Sequence, residues 1–283
     1  MNIKNAKFLI TGSSGQLAEA FIANFEINKI DYVAPEEKDT DITSKEMVET
    51  TIDKVKPDVL INCAAYNKVD QAEKEPEIAY AVNSVAIENL ARICKAKGIF
   101  FIHYSSDYVF DGETDRPYKE TNNPSPINVY GKSKLEGERR VREVSGGHLI
   151  FRLSWVYGKG KQNFFYKLNR WAEEKDSINI ACDEISVPTY AEDIVNVTLK
   201  ALAVNLTGLY HLVSSGYVSR YELAQYYFNK LKIKIKLNPV KRDFFKTLAK
   251  RPRFSAMSNK KLSEDLNIEL PKWENALDRF INI

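Results

Sequence analysis

The sequence has few cysteines and histidines, and this scarcity bears on disulfides and on metal binding. Its 283 residues include three histidines and only three cysteines, Cys63, Cys94 and Cys182. The cysteines form neither a CxxC pair nor a zinc-ligand pattern, so a disulfide framework is not expected. Isolated cysteines of this kind are usually small buried side chains in a reducing compartment. The sequence therefore predicts a cytoplasmic protein without a bound metal ion.

Long apolar runs and an excess of one charge are also missing. No run approaches the ~20 apolar residues that cross a bilayer, and the first residues lack the apolar core and cleavage site of a signal peptide. The 41 basic and 38 acidic residues are mixed along the chain and leave a formal net charge of only +3. We therefore expect a soluble protein that inserts into no membrane and binds no nucleic acid.

What the sequence does contain is an alternation of short apolar runs and longer amphipathic segments. The predicted strands are Lys7–Thr11, Asp31–Ala34, Asp58–Ala64, Ile99–Ser105 and His148–Ser154, and the predicted helices are Gln16–Phe25, Ser44–Val55, Glu77–Lys97 and Ser133–Val144. Continuous apolar strands separated by helices indicate a parallel sheet that is covered on both faces. The predicted fold class is α/β, with a Rossmann-type doubly wound parallel sheet.

The pattern becomes less regular after Trp155. Further helices are predicted over 163–175, 192–204, 220–230 and 273–280, with a strand over 209–212 and a basic, irregular stretch over 239–254. We expect this part to form a smaller C-terminal α/β substrate lobe at the carboxyl edge of the sheet, where open α/β sheets bind ligands. The expected division is a dinucleotide-binding domain over 1–155 plus part of 185–215, and a substrate-binding lobe over 156–184 and 216–283.

A glycine-rich turn lies between the first predicted strand and the first predicted helix. The segment ITGSSGQLA places Gly12 and Gly15 there, where a tight turn brings backbone N–H groups and a helix N-terminus against a pyrophosphate. The third small position is Ala18, which permits close packing of the helix on the strand. This turn predicts a dinucleotide site.

The identity of the dinucleotide depends on the end of the second predicted strand. An acid there favours NADH and a base favours NADPH, and the segment Ala34–Lys38 contains both signs, so NADPH or NADH is expected. Asp41 and Ile42, slightly further on, are candidates to bracket the adenine. Alternatively, Asp41 caps the helix that begins near Ser44.

Tyr130 and Lys134 form a YxxxK pair that predicts acid–base chemistry. Residues four apart lie on one face of a helix, so the lysine ammonium is expected to lower the pKa of the phenol and to hold the nicotinamide ribose. A second hydroxyl should hold the substrate oxygen. Ser105 and Ser106 end the fourth predicted strand, and Ser106 is the candidate.

The motifs that follow one another along the chain resemble those of a known family. Ala64–Glu73, Ser105–Gly112 and Arg152–Gly158 match its AAYTxVDxAE, STDYVFDG and RxSWVYG stretches. The chain thus resembles the extended short-chain dehydrogenases/reductases, and more narrowly the dTDP-4-dehydrorhamnose reductase family, over nearly its whole length.

The resemblance implies a role for each matching residue. The implied cofactor contacts are Gly12, Gly15, Gln16, Leu17, Asp41, Ile42, Ala64, Ala65, Tyr66, Tyr130 and Lys134. The implied catalytic residues are Ser106, where the family usually has threonine, Tyr130 and Lys134. The implied substrate contacts are Ser106, Asp107, Tyr108, Trp155, Asn163 and Arg251.

Three positions depart from the family pattern. Asn67 replaces a threonine beside the active site, and Cys182–Ser186 replaces a stretch that usually reads DQxG, which leaves the nucleotide base and the sugar open. Some relatives form dimers bridged by a metal held by glutamates. One such position is Ala20 here, so the resemblance implies no metal, and either a homodimer or a monomer.

The implied activity is NAD(P)H-dependent reduction of the C4 keto group of a nucleotide-linked 4-keto-6-deoxysugar, most narrowly dTDP-4-dehydrorhamnose to dTDP-L-rhamnose. Two alternatives stay open at this point. One is a sugar-nucleotide epimerase or dehydratase with tightly bound NAD, and the other is a non-catalytic, NADP-binding regulatory subunit of the same family.

Overall fold

The computed structural model describes residues 1–144 and 146–282. Residue 283, the last of the predicted lobe, and residue 145 lie outside the described residues. The strands are β1 (Phe8–Thr11), β2 (Tyr32–Val33), β3 (Val59–Asn62), β4 (Phe100–Ser106), β5 (His148–Leu153), β6 (Val156–Tyr157), β7 (Ser177–Ala181), β8 (Ile185–Ser186), β9 (Thr189–Tyr190), β10 (Gly208–His211), β11 (Val218–Ser219) and β12 (Lys236–Val240). The α-helices are α1 (Gln16–Asn28), α2 (Lys45–Val55), α3 (Val69–Ala72), α4 (Pro76–Tyr80), α5 (Ala86–Lys97), α6 (Val129–Val144), α7 (Phe164–Glu174), α8 (Ala191–Ala203), α9 (Arg220–Leu231), α10 (Lys260–Leu266) and α11 (Trp273–Ile281).

The central sheet has six parallel strands in the order β10-β5-β4-β3-β1-β2. The order reverses between β1 and β3, which is the point at which open α/β sheets bind ligands beyond their carboxyl ends. The register aligns Thr11 with Asn62 and Asn62 with His103. The side chain of Thr11 donates to Asn62 Oδ1 at 2.6 Å, and Asn62 Nδ2 lies 3.1 Å from His103 Nδ1. A row of polar groups therefore marks this edge.

Alternate residues of the strands pack on opposite faces of the sheet. Phe8 and Ile10 of β1 belong to the core under α1 and α8, whereas Leu9 and Leu60 belong to the core under α2 and α5. All four side chains are almost completely buried. The structure thus confirms the predicted Rossmann-type sheet, because strands buried on both faces have no polar side to expose.

The predicted helix over 77–97 is one helix interrupted by a wider turn. The segment Ala81–Val85 between α4 and α5 forms π-type hydrogen bonds. Inside this turn, the Asn83 side chain accepts from the Tyr66 N–H at 2.9 Å and donates to the Tyr66 carbonyl at 3.0 Å and to Ser133 Oγ at 3.0 Å. These bonds join the loop after β3 to α6. The residue periodicity could not reveal them because they are made between distant segments.

Helix α6 begins four residues before the predicted start at residue 133. Its first turn is stabilised by Asn128, whose Oδ1 accepts from the Gly131 N–H at 2.7 Å, and by Glu73, which accepts from the Val129 N–H at 2.9 Å. Both side chains satisfy donors that the first turn of a helix leaves free. Tyr130 therefore lies in the first turn of a firmly capped helix.

The chain after β5 also forms a group of smaller elements. Two strand pairs, parallel β7–β12 and antiparallel β8–β11, lie beside α7, α9 and α11. Their core is aromatic: Tyr157 lies 5.0 Å from Phe165, 5.4 Å from Tyr190 and 5.3 Å from Phe280 between ring centroids. Strand β12 was not predicted, because it is only five residues long and its Asn238 and Pro239 weaken the strand signal.

A buried ion pair fixes α6 to the sheet. Arg152 of β5 donates to both carboxylate oxygens of Glu138, at 2.9 and 2.6 Å. The two side chains are 3% and 1% exposed. Breaking a buried pair leaves an uncompensated charge away from water, which costs far more free energy than the loss of an exposed pair.

Glu138→Ala should therefore lower the free energy of unfolding by about 3–5 kcal/mol. The measurement is a denaturant titration followed by circular dichroism. Glu174→Ala is the matched control, since Glu174 pairs with Arg170 on an exposed helix face, and its loss should cost under ~1 kcal/mol. Equal losses in the two variants would contradict the role given to Arg152.

Candidate active site

A cavity of about 310 Å³ opens at the carboxyl edge of the sheet. The glycine-rich turn, the ends of β3, β4 and β5, and the first turns of α6 bound it. The predicted residues that line it are Gly15, Gln16, Leu17, Ala64, Ala65, Ser106, Asp107, Tyr130, Lys134 and Trp155. Asn62, Cys63, Asn67, Ser105, Ser154 and Gln162 line it as well. The fold thus brings together residues that are up to 147 positions apart in the chain, from Gly15 to Gln162.

The glycine-rich turn leaves room where side chains would close the site. Gly12 has a φ of +72°, and a Cβ placed on it would lie 2.6 Å from the backbone nitrogen of Ala64. Gly15 precedes the first turn of α1, and no side chain caps that helix. The free N–H groups of the first turn can therefore receive a pyrophosphate. Gln16 Oε1, buried without a hydrogen-bond partner, adds an unused polar atom. These features fit a dinucleotide.

The predicted hydroxyl and ammonium groups meet at the opposite wall of the cavity. Ser106 ends β4, and its Oγ accepts from the Tyr108 N–H at 3.1 Å. The Tyr130 ring packs edge-on against Tyr108, with centroids 5.8 Å apart. Lys134 is 2% exposed, and its Nζ donates to the Tyr104 carbonyl at 2.6 Å. The ammonium is thus bound to β4.

Burial shifts the pKa values of this pair away from those expected from the sequence. The pKa of Tyr130 is raised to about 12, mainly because burial disfavours the phenolate, although Ser106 acts in the opposite direction. The pKa of Lys134 is lowered to about 8 because burial disfavours the ammonium. The expectation of a lowered Tyr130 pKa is therefore wrong for the protein alone. Desolvation exceeds the lowering by the Ser106 hydrogen bond.

Asn67, which the sequence showed only as a departure from the family, contacts the tyrosine directly. The Tyr130 hydroxyl donates to Asn67 Oδ1 at 3.4 Å. A threonine side chain is shorter by one heavy atom and carries no amide. The signal that marks Asn67 in the sequence is its place inside the Ala64–Glu73 motif, at the position where the family has threonine.

A second and larger cavity, of about 1140 Å³, lies on the lobe side of Tyr108. Trp155 lines the first cavity and Arg220 the second, and the Arg220 guanidinium stacks 3.5 Å from the Trp155 ring centroid. Trp155 has a φ of +39°, a strained value for a bulky side chain. Its Nε1 is buried without a partner. Nothing in the local sequence indicated the role of Arg220.

Two predicted substrate residues have structural partners instead of an open face. The amide of Asn163 caps α7 through the Tyr166 N–H at 3.0 Å and donates to the Gly158 and Gly160 carbonyls. These bonds use both amide N–H groups, and Asn163 lines neither the smaller nor the larger cavity, so its contact with substrate stays a prediction. Arg251 lines the larger cavity, but its guanidinium is bound to both oxygens of Asp70, at 3.1 and 2.6 Å.

The residues predicted to border the adenine differ in their surroundings. Ile42 is buried in the core under α2. The Asp41 carboxylate accepts from the N–H and hydroxyl of Thr43, both at 2.8 Å. The alternative that Asp41 caps α2 is wrong, because Ser44 accepts from the Met47 N–H. Tyr66 is held by its backbone, and its hydroxyl donates to Glu75 at 2.7 Å.

Neither a metal cluster nor a membrane span is found in the described part of the chain. No group of three or more histidine, cysteine, aspartate or glutamate side chains among residues 1–144 and 146–282 is arranged to hold a metal ion. Over the same residues, the helices are too short or too polar to cross a bilayer.

The fold and the site together define a class of protein. A parallel sheet with a glycine-rich turn, a strand-end serine and a helical Tyr-x-x-x-Lys pair on one cavity is typical of the short-chain dehydrogenases/reductases. The family model described as RmlD substrate binding domain matches residues 6–283. The chain belongs to this family, the dTDP-4-dehydrorhamnose reductase family, which confirms the resemblance seen in the motifs.

Individual relatives agree with this assignment. The dTDP-4-dehydrorhamnose reductase of Escherichia coli K12 is 35% identical over 97% of this chain and 96% of its own length. The crystal structure of the Bacillus anthracis dTDP-4-dehydrorhamnose reductase in complex with NADP is also 35% identical, with a TM-score of 0.95 over 98% of this chain and 99% of that one. The Thermus thermophilus UDP-glucose 4-epimerase, at 17% identity and a TM-score of 0.79 over 97% of this chain and 99% of that one, shares the fold alone.

Gly12→Ala should weaken NADPH binding at least about tenfold, because the new Cβ would displace Ala64 from the cavity wall and the backbone would be strained. Gly98→Ala is the matched control, since Gly98 has a φ of +69° but open space around it. It should cost only about 1–2 kcal/mol of stability. Fluorescence titration with NADPH and thermal unfolding measure the two effects. Tight binding by Gly12→Ala would contradict the proposed phosphate turn.

The kcat/KM of the reduction should fall as the pH rises above about 8. Lys134, whose pKa is about 8, loses its charge there while Tyr130 remains protonated. A profile of kcat/KM against pH measures this alkaline limb. In Lys134→Arg the limb should move upward by more than one pH unit at a lower absolute rate, since a guanidinium stays charged. Lys132→Arg, exposed on the same helix, is the control. If the alkaline limb of the kcat/KM profile does not move in Lys134→Arg, the limb reports the titration of another group.

Proposed function

We propose that this protein reduces the C4 keto group of a nucleotide-linked 4-keto-6-deoxysugar with NADPH or NADH, most specifically dTDP-4-dehydrorhamnose to dTDP-L-rhamnose. The observation that carries the proposal is the cavity that has the glycine-rich turn on one side and the hydroxyls of Ser106 and Tyr130 on the other. The name of the Escherichia coli relative and the NADP bound in the Bacillus anthracis structure support it.

In the proposed reaction, Tyr130 supplies the proton. The hydride comes from the reduced nicotinamide when it is bound. The carbonyl oxygen gains negative charge and takes the phenol hydrogen, so that ketone, hydride and proton together give the alcohol. The raised pKa of Tyr130, about 12, keeps the proton on the phenol until that charge develops. A phenol of this kind still gives up its proton readily to an alkoxide, which is the stronger base.

Ser106 and Lys134 prepare the proton transfer. The Ser106 hydroxyl, fixed at the end of β4, is proposed to hold the carbonyl oxygen, so that a donor is in place before charge develops. The ammonium of Lys134 is within one helical turn of Tyr130 and has two N–H groups left after its bond to Tyr104. We assign these groups to the nicotinamide ribose and to the stabilisation of the phenolate that proton transfer leaves.

The larger cavity suits the nucleotide part of the substrate. Its walls carry the cationic side chains of Arg220, Arg242 and Lys246 and the aromatic rings of Phe164 and Trp171. Cations favour a diphosphate, and rings favour a base. Tyr108 borders this cavity and contacts Tyr130. The proposal therefore places the sugar at Tyr108 and Trp155, with the diphosphate beyond.

The two parts of the chain divide the work in this proposal. Residues 1–155 with part of 185–215 hold the dinucleotide, and residues 156–184 and 216–283 hold the nucleotide-sugar. At the adenosine end, Ser13, Ser14, Glu36, Glu37 and Lys38 line a further cavity of about 430 Å³. The ion pair of Lys38 with Glu36, at 2.8 Å, leaves this end with both signs of charge, in keeping with either NADPH or NADH.

Steady oxidation of added NADPH or NADH in the presence of a 4-keto-6-deoxy nucleotide sugar tests the activity. An epimerase or a dehydratase regenerates its bound NAD and consumes no external cofactor. A non-catalytic subunit binds cofactor without turning it over. Either of these outcomes would contradict the proposed reductase.

Tyr130→Phe should lower kcat by about 10²–10⁴-fold, because the variant has no proton to donate, while the affinity for NADPH changes little. Stopped-flow absorbance and fluorescence titration give the two values. Tyr226→Phe is the control. Tyr226 lines neither the smaller nor the larger cavity, and its hydroxyl donates to Asp278. Turnover by Tyr130→Phe at the unmodified rate would remove the tyrosine from the mechanism.

A further inference from the structure

A buried carboxylate lies next to the proposed catalytic serine and has serine hydroxyls as its partners. Asp107 directly follows Ser106 and is 3% exposed. Its Oδ1 accepts from Ser106 Oγ at 3.0 Å. Its Oδ2 lies within hydrogen-bond distance of three further hydroxyls, those of Ser154 at 3.0 Å, Ser186 at 3.0 Å and Ser255 at 2.5 Å. Each carboxylate oxygen accepts about two hydrogen bonds, so these three hydroxyls saturate Oδ2, whereas Oδ1 has Ser106 as its donor.

The four serines come from four separate segments of the chain. Ser106 ends β4 and Ser154 follows β5, both at the carboxyl edge of the sheet. Ser186 belongs to β8, and Ser255 follows the basic stretch that was predicted over 239–254. Two of the three hydroxyls beside Asp107 Oδ2 therefore come from segments that lie well after the fifth strand of the chain.

Backbone hydrogen bonds join the segments that carry Ser186 and Ser255. The Ser255 N–H donates to the Ile185 carbonyl at 2.9 Å, and the Ile185 N–H donates to the Arg253 carbonyl at 2.8 Å. The Ser255 hydroxyl also lies 3.0 Å from Ser186 Oγ, which in turn lies 2.6 Å from Ser154 Oγ. Their positions at Asp107 are fixed by the backbone. Ser186 stands where the family pattern DQxG has glycine, so this hydroxyl is a feature of the present chain.

The hydrogen of Ser106 has two competing destinations. Its Oγ already accepts from the Tyr108 N–H and donates to Asp107 Oδ1. To donate to a substrate oxygen, the hydroxyl must rotate away from Oδ1 and leave the carboxylate with one donor fewer. Removing a hydrogen-bond donor from a buried carboxylate costs free energy. The hydroxyls around Oδ2 reduce that cost because they continue to stabilise the charge.

We infer that Ser186 and Ser255 are positioning residues of the reduction: by holding Asp107 Oδ2, they allow Ser106 to release its hydrogen bond to Oδ1 and to donate to the substrate oxygen. The inference rests on the proposed function. Asp107, which the resemblance places against the sugar or its diphosphate, lines the smaller cavity and in this inference acts through Ser106.

The test compares Ser186→Gly and Ser255→Ala with a matched control. Ser214 is buried and its hydroxyl has no hydrogen-bond partner, so Ser214→Ala removes a serine hydroxyl that serves no cluster. Ser186→Gly and Ser255→Ala should each lower kcat about 3- to 10-fold, the effect of one ordinary hydrogen bond, because the other hydroxyls around Asp107 remain. The KM for the nucleotide-sugar and the affinity for NADPH should change less than about twofold. Ser214→Ala should leave kcat unchanged.

The other outcomes are distinguishable. A raised KM with an unchanged kcat would show that the two serines shape substrate binding, and the inference would be wrong. An unchanged kcat in Ser186→Gly would also overturn the inference. If Ser255→Ala does not fold, Ser186→Gly decides the test alone, because glycine is the residue of the family pattern at this position and the fold accepts it. NADPH fluorescence and thermal unfolding establish folding. An unmodified protein that consumes no cofactor would overturn the proposed function as well, whereas an active protein with unaffected variants overturns the inference alone.

Discussion

The close packing of α6 on the end of β4 positions the groups on which the proposed chemistry depends. Lys134 reaches the Tyr104 carbonyl at 2.6 Å, and a Cβ on Gly131 would lie 2.1 Å from the Tyr108 carbonyl oxygen. The helix can approach so closely only because residue 131 has no side chain. The Glu138–Arg152 pair fixes the next turns of the helix to β5. Tyr130 therefore faces Ser106 without depending on a flexible loop.

Burial at this contact also determines the charges of the site. It raises the pKa values of Tyr130 and Asp107 and lowers that of Lys134. Each shift favours the neutral form, as expected for groups removed from water. A tyrosine that keeps its proton is suited to reduction, because the general acid must be protonated before the reaction begins. The simple picture of an ammonium that makes the phenol acidic describes the moment of proton transfer better than the resting site.

Much of this arrangement could be predicted from the sequence. Continuous apolar runs such as 58–64 and 99–105 predicted the buried parallel strands, and the glycine-rich turn and the strand-end serines predicted which edge carries the site. Such features are local, so neighbouring residues reveal them. The π-type turn around Asn83, the stacking of Arg220 on Trp155 and strand β12 could not be found in this way. Each depends on contacts between distant segments, and β12 is a five-residue strand whose Asn238 and Pro239 weaken the local strand signal.

The cluster around Asp107 shows how segments that follow β5 can influence the proposed reduction without supplying a reacting group. Ser186 and Ser255 line neither the smaller nor the larger cavity, yet only one carboxylate separates them from the Ser106 hydroxyl. Since backbone hydrogen bonds join Ile185 to Ser255 and to Arg253, a movement of these segments relative to the sheet edge would shift both hydroxyls together. Under the proposed function, the orientation of the Ser106 hydroxyl then depends on the position of segments next to the larger cavity. Binding energy from the nucleotide part of the substrate would in this way contribute to the orientation of a donor at the sugar.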